Sequence, residues 1–161
     1  MVKFFVKICL STKAGILEDK SLIRIMRTYN KPALRISLAI IFIWFGVLKP
    51  LGLSPAEGLL KQTVSWLPLG KPDTWLNIIG FWEILIGLFF LFKKTYRIAI
   101  ALLFSQMIGT FMPLVFLPEI TFQNGNPLLL TMEGQYIIKN ILIISAALVL
   151  GGDLDHKKKS N

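Results

Sequence analysis

Glu83 is the residue that a hydrocarbon environment should reject most strongly. It stands well inside the apolar stretch 74–92, and at roughly 1.5 Å per helical residue this depth puts it near a bilayer midplane. Gly80, Glu83 and Gly87 fall at i, i+3 and i+7. That is one helical face, and its two glycines admit the close approach of another helix, so Glu83 is expected to face the bundle. Gln106 has a matching depth in the next apolar stretch, with Thr110 and Pro113 on its face. Lys139 enters shortly past the edge of the last stretch, beside Asn140, and its long side chain brings a Lys139–Glu83 ion pair within reach. An acid, two amides, a hydroxyl and an amine in this setting serve either as interhelical glue or as a proton relay or small-ligand pocket. Lys49 ends its own apolar stretch and is expected to snorkel to the headgroups. Glu57 and Glu133 mark the outer face as solvated or helix-capping carboxylates, and Glu119 is read in the same way. Trp44 and Trp82 are expected to pack.

Other chemistry is poorly supported. Cys9 is the single cysteine and His156 the single histidine, so an internal disulfide, a CxxC pair and a histidine metal site are not expected. No nucleophile motif or phosphate-binding glycine loop stands out, and no metal is expected.

The elements that must position these residues follow from composition. Of 161 residues, 54% are hydrophobic and 17% charged, with a net charge of +9 and a mean hydropathy of +0.64. Ordinary soluble domains are nearer one quarter charged. The apolar excess falls in four blocks, 33–51, 74–92, 98–117 and 136–151, each about long enough to span a bilayer as a helix. The expectation is an all-α, four-helix transmembrane bundle with no room for a separate catalytic domain. Small residues at Ala101, Ser105 and Gly109, and Asn140 with Ala147 and Gly151, form stripes suited to helix packing. The first ten residues, MVKFFVKICL, do not read as a secretory signal, because Lys7 interrupts the apolar run.

Lysine and arginine counts set the expected orientation. Seven lie before the first span with Arg35 in its first turn, three between the second and third, and three in the tail, so 14 of 18 fall on one side. Both termini are therefore expected in the cytoplasm, and the loops 52–73 and 118–135 outside. In the first outer loop, Ser54, Pro55 and Glu57 read as a capped helix start, with Pro68 and Gly70 as its stop and Trp66 at the boundary; this predicts a short interfacial helix. In the second, QNGNP is a turn, with Thr131 a cap for the fourth span and Glu133 in its first turn. Residues 15–29 place Ile16, Leu22, Ile23, Met26 and Tyr29 among basic residues, which predicts a cationic amphipathic helix. The expected organisation is a basic cytoplasmic segment 1–32, a four-span membrane domain 33–151 and a basic cytoplasmic tail 152–161. Membrane lipids are expected partners, and nucleic acid is not, because there is no basic face on a soluble module.

The segments FIWFGVLKP, SPAEGLLKQTVSWLP, IGFWEILIGLFFLF, SQMIGTFMPLVFLPEITF and EGQYIIKNILIISAALVL together resemble the DoxX-like superfamily of small four-span membrane proteins, closest to its YkgB-type inner-membrane branch. The similarity runs over 35–151. Its most specific pieces are Gly46 with Lys49, Glu57 with Gly58, Glu83 to Gly87, Glu133 with Gly134, and Lys139 with Asn140. The resemblance implies the fold, a bacterial cytoplasmic membrane, and an association with thiosulfate:quinone oxidoreductase subunits or with resistance to reactive chlorine species. It implies no catalytic residue set. Lys49, Glu83 and Lys139 carry over only as structural or pocket residues, and the absence of cysteine from the membrane portion speaks against direct sulfur chemistry.

The first functional expectation is a membrane subunit acting with a partner, either another membrane protein or a second copy, in quinone-linked redox or oxidative-stress physiology. It would have no catalytic centre of its own. The cofactor is left open, with quinone the candidate that the resemblance allows. The alternatives are a small proton-coupled transporter using Glu83, Gln106 and Lys139, and a membrane-protein assembly factor.

Overall fold

Long apolar runs bounded by proline, glycine and basic clusters form helices throughout the computed structural model, which describes residues 13–65 and 70–152. Cys9, Trp66, Pro68, His156 and the tail lysines 157–159 lie outside the described residues. The elements are α1 (Lys13–Leu48), α2 (Glu57–Val64), α3 (Pro72–Leu91), α4 (Tyr96–Phe111), the single turns α5 (Pro113–Phe116) and α6 (Pro118–Thr121), a 3-10 turn (Gln123–Gly125) and α7 (Met132–Gly152). Four stretches, Asp19–Leu48, Pro72–Leu91, Tyr96–Phe116 and Met132–Gly152, are long and apolar enough to cross a membrane. The chain is thus an all-α, multi-pass membrane protein built as a four-helix bundle. Trp44, Ile108 and Leu142 are more than half exposed, the inside-out surface that a lipid solvent allows.

Two units divide the chain, Met1–Leu34 and Arg35–Asn161. In the first, α1 is already helical, and the side chains 20–33 are all exposed. The helix continues through Pro32, where a separate amphipathic segment and span were expected to meet. Pro32 has no N–H to offer the Thr28 carbonyl, but helix formers on both sides carry the backbone past that single missing bond.

In the second unit α1 stops earlier than the apolar run does. The Leu53 N–H donates to the Leu48 carbonyl and the Gly52 N–H to the Lys49 carbonyl, both at 3.0 Å, with Gly52 at φ 66°. This paired closure needs a residue that tolerates positive φ. The next helix differs from its expected start. The Ser54 hydroxyl does not cap it; instead the Ser54 carbonyl accepts the Glu57 N–H at 3.1 Å, and α2 runs only from Glu57 to Val64. Pro72 opens α3 with Asp73 in its first turn, and Lys61 reaches both Glu57 (2.7 Å) and Asp73 (2.6 Å), tying α2 to the start of α3.

The α3–α4 turn is held by the Thr95 hydroxyl, which donates to the Phe89 carbonyl at 3.0 Å, and by the Phe90 and Tyr96 rings, edge to face at 5.7 Å. Residues 118–135, expected as a loop, are folded more closely. A turn of helix on either side of Leu117 leads to an isolated antiparallel bridge between Phe122 and Leu130, closed by Asn124 and Gly125 at positive φ. Thr131 caps α7 as expected, its hydroxyl accepting the Gly134 N–H at 3.2 Å and donating to the Ile120 carbonyl at 2.6 Å. The cap sets the start of α7 at Met132, four residues before the apolar run. At Gly134 an added Cβ would come 2.2 Å from the Thr121 carbonyl oxygen, so only glycine fits where α7 crosses this turn.

Candidate functional site

Small residues bring α1 and α3 together. A Cβ on Gly46 would come 2.8 Å from the Gly80 carbonyl oxygen, and one on Gly87 would come 2.8 Å from the Ala39 carbonyl oxygen. Ala39 and Gly46 on α1 share the seven-residue spacing of Gly80 and Gly87 on α3 and run antiparallel to them. Backbones therefore touch at two levels two helical turns apart, the close packing that small residues permit between helices in lipid. Glu83 lies between Gly80 and Gly87 on that face.

Its ion-pair partner is Lys49. The Lys49 Nζ donates to Glu83 Oε2, with Lys49 6% and Glu83 13% exposed. Lys49 lies three residues beyond Gly46, and a Cβ on Gly80 would come 2.9 Å from the Lys49 Cβ, so the stem of the side chain is pressed against α3. Nζ also comes 3.4 Å from the Phe45 carbonyl oxygen, one turn back along α1. The amine therefore runs inward along its own helix. This corrects the expectation that Lys49 snorkels to the headgroups: the tight Gly46–Gly80 contact closes that side, and a carboxylate lies within reach in the other direction.

The second carboxylate oxygen belongs to α4. Gln106 Nε2 donates to Glu83 Oε1 at 3.2 Å, and one turn away the Trp82 indole donates to the Leu102 carbonyl at 3.2 Å. Glu83 thus joins α1, α3 and α4, with one oxygen turned to each neighbouring helix. A buried carboxylate is costly unless paired and hydrogen-bonded, and here both conditions are met.

The remaining expected residues are placed elsewhere. Lys139 is exposed, and its Nζ lies 5.1 Å from the Tyr136 ring centroid. A Lys139–Glu83 pair is not formed, because the amine rests on its own helix and Lys49 already occupies the carboxylate. Asn140 donates to the Tyr136 and Ile137 carbonyls of α7, each at 3.1 Å. The Thr110 hydroxyl donates to the Gln106 carbonyl at 3.1 Å and so sits beside the cluster through its backbone. Glu57 pairs with Lys61, while Glu133 is exposed in the first turn of α7. Among the described residues no three of His, Cys, Asp and Glu gather in a way that would hold a metal ion.

Sequence reasoning singled out Gly46 only through the resemblance, without its contact to Gly80, and missed Ala39 altogether. The seven-residue spacing of Ala39 and Gly46 matches that of Gly80 and Gly87, and that match was the available signal. Comparison with known proteins finds no matching family model, curated protein or solved structure.

Proposed function

We propose that this chain is a DoxX-like subunit of a bacterial cytoplasmic membrane, with both termini in the cytoplasm. In this reading it works with a partner in quinone-linked redox or oxidative-stress physiology and has no catalytic centre of its own. The observation that carries the proposal is the closure of the polar cluster: both oxygens of Glu83 are engaged, one by Lys49 and one by Gln106. An arrangement that ties three helices together suits a scaffold better than a translocation path. A quinone carbonyl in the bilayer needs hydrogen-bond donors, and the Lys49 amine and Gln106 amide are both directed at Glu83. The cluster therefore does not fit a quinone by itself, and the quinone of this reading belongs with the partner. The partner is another membrane protein or a second copy. A surface for it is available on α4, where Ala101, Ser105 and Gly109 are exposed and no neighbour lies within 4 Å of a Cβ built on Gly109.

Purification from native membranes in mild detergent, followed by mass spectrometry of proteins and lipids, tests the proposal. A stoichiometric partner, with quinone retained in the complex, is the expected result. A lone monomer free of quinone in several detergents would overturn it.

The depth of Glu83 favours a second reading, a proton-coupled transporter. The two readings separate on Glu83→Gln at undiminished membrane abundance. Loss of function there supports protonation of Glu83, whereas a scaffold keeps its function once folded.

A further inference from the structure

Residues 19–33 of the first unit carry a basic face and an apolar face on opposite sides of α1. At about 100° per residue, Lys20, Arg24, Arg27 and Lys31 fall within an arc of about 60° on α1. Leu22, Ile25, Met26, Tyr29 and Ala33 fall on the opposite face of the same helix, with Ile23 at the border. Lys20, Arg24 and Arg27 are exposed, as are Leu22 (54%), Ile25 (55%), Met26 (61%) and Tyr29 (63%). Asp19 lies off the basic row.

We infer that residues 19–33 form a docking surface for anionic phospholipid, with the basic row on the headgroup phosphates and the opposite face at the boundary of the acyl chains. Charge complementarity selects an anionic occupant. The apolar face selects a lipid surface over nucleic acid, because phosphate contacts along a nucleic acid would leave Leu22, Ile25, Met26 and Tyr29 in water. The chain itself keeps the surface in reach of its occupant, since residues 19–33 are the first part of the 30-residue apolar stretch Asp19–Leu48, which at about 1.5 Å per residue is longer than a hydrocarbon core of about 30 Å and leaves its basic end at headgroup depth. Pro32, with no N–H to donate, is the point on α1 where the backbone ladder gives most easily.

The test uses the full-length protein in nanodiscs of phosphatidylglycerol or of phosphatidylcholine. The reporter is bimane on Met26→Cys, in a Cys9→Ser background. In phosphatidylglycerol the emission is expected to shift to the blue and to be quenched by headgroup-proximal spin-labelled lipid, and in phosphatidylcholine much less so. Each basic residue contributes roughly a fivefold preference for the anionic surface, so Lys20→Gln, Arg24→Gln and Arg27→Gln together remove roughly a hundredfold preference. Raising salt from 0.1 M to 1 M shortens the screening length from about 10 Å to about 3 Å and should have the same effect. Thermal unfolding of the same discs reports whether the triple variant still folds. Equal signals in the two lipids would overturn the inference, as would a preference that survives the triple substitution in folded protein. A blue shift produced by an added oligonucleotide in phosphatidylcholine discs, with none in phosphatidylglycerol, would also overturn it.

Discussion

Lys49 stands where a basic residue ordinarily anchors the end of a transmembrane helix, yet its amine points into the bundle and meets Glu83. That inward direction decides which substitutions matter. Lys49→Met leaves a buried carboxylate with Gln106 as its remaining side-chain partner, a loss that costs about 3–5 kcal/mol in comparable buried pairs. Gln106→Leu removes the other donor and costs about 1–3 kcal/mol. Lys139→Met removes only an exposed amine from the Tyr136 ring, and less than about 1 kcal/mol is expected. Denaturant unfolding in detergent, followed by circular dichroism, ranks the three variants. The acid itself was legible in the sequence because a carboxylate in an apolar helix is tolerated only with a partner inside the bundle. Its amide partner Gln106 was legible from matching depth; its ion-pair partner was not, because a lysine at a helix end can satisfy itself in water, and only the register between α1 and α3 shows that it does not.

Glycine positions decide how closely the helices approach one another. Gly80→Ala puts a Cβ 2.8 Å from the Gly46 carbonyl oxygen, and Gly134→Ala puts one 2.2 Å from the Thr121 carbonyl oxygen. Both contacts are with backbone and cannot relax by turning a side chain, so each variant is expected to lose about 1–3 kcal/mol or more. Gly109→Ala meets nothing within 4 Å and is expected to be neutral or to gain up to about 1 kcal/mol from helix propensity. Thermal melts of the purified variants check this order. The tie between α2 and α3 gives a pH dependence. Hydrogen bonds from Lys61 to Asp73, and then to Glu57, hold its amine protonated and push its pKa from 10.5 up to about 12. A raised lysine pKa means that the contribution of the tie is complete below the unfolded value of about 10.5 and is lost as pH rises through about 12. Carbon-13 NMR of the lysine Cε should show Lys61 titrating near 12, and Asp73→Asn should move it back toward 10.5. Hydropathy located the last three spans to within a few residues, since bilayer thickness sets their length, but it placed the start of the first at residue 33 where the apolar helix already runs from Asp19. It could not find the stop of α1 at Leu48 or the early start of α7. Those boundaries belong to hydrogen bonds of the Leu48–Leu53 closure and the Thr131 cap.

At the scale of the molecule, the bundle solves the membrane problem with few polar groups. Its outer surface is apolar, its glycine faces bring α1 against α3, and Glu83 gives one oxygen to each flanking helix. Composition alone was enough to exclude a soluble enzyme and to leave an acid and its partners as the residues to explain. It pointed to Lys139 and set Lys49 aside as a headgroup anchor, because the choice between them depends on how the helices are set against one another. A double-mutant cycle on global unfolding tests this account most directly, using Lys49→Met, Glu83→Gln and both together, beside the same cycle with Lys139→Met. A coupling of about 1–3 kcal/mol is expected between positions 49 and 83, and none beyond a few tenths between 139 and 83. Coupling of Glu83 to Lys139, with none to Lys49, would contradict it.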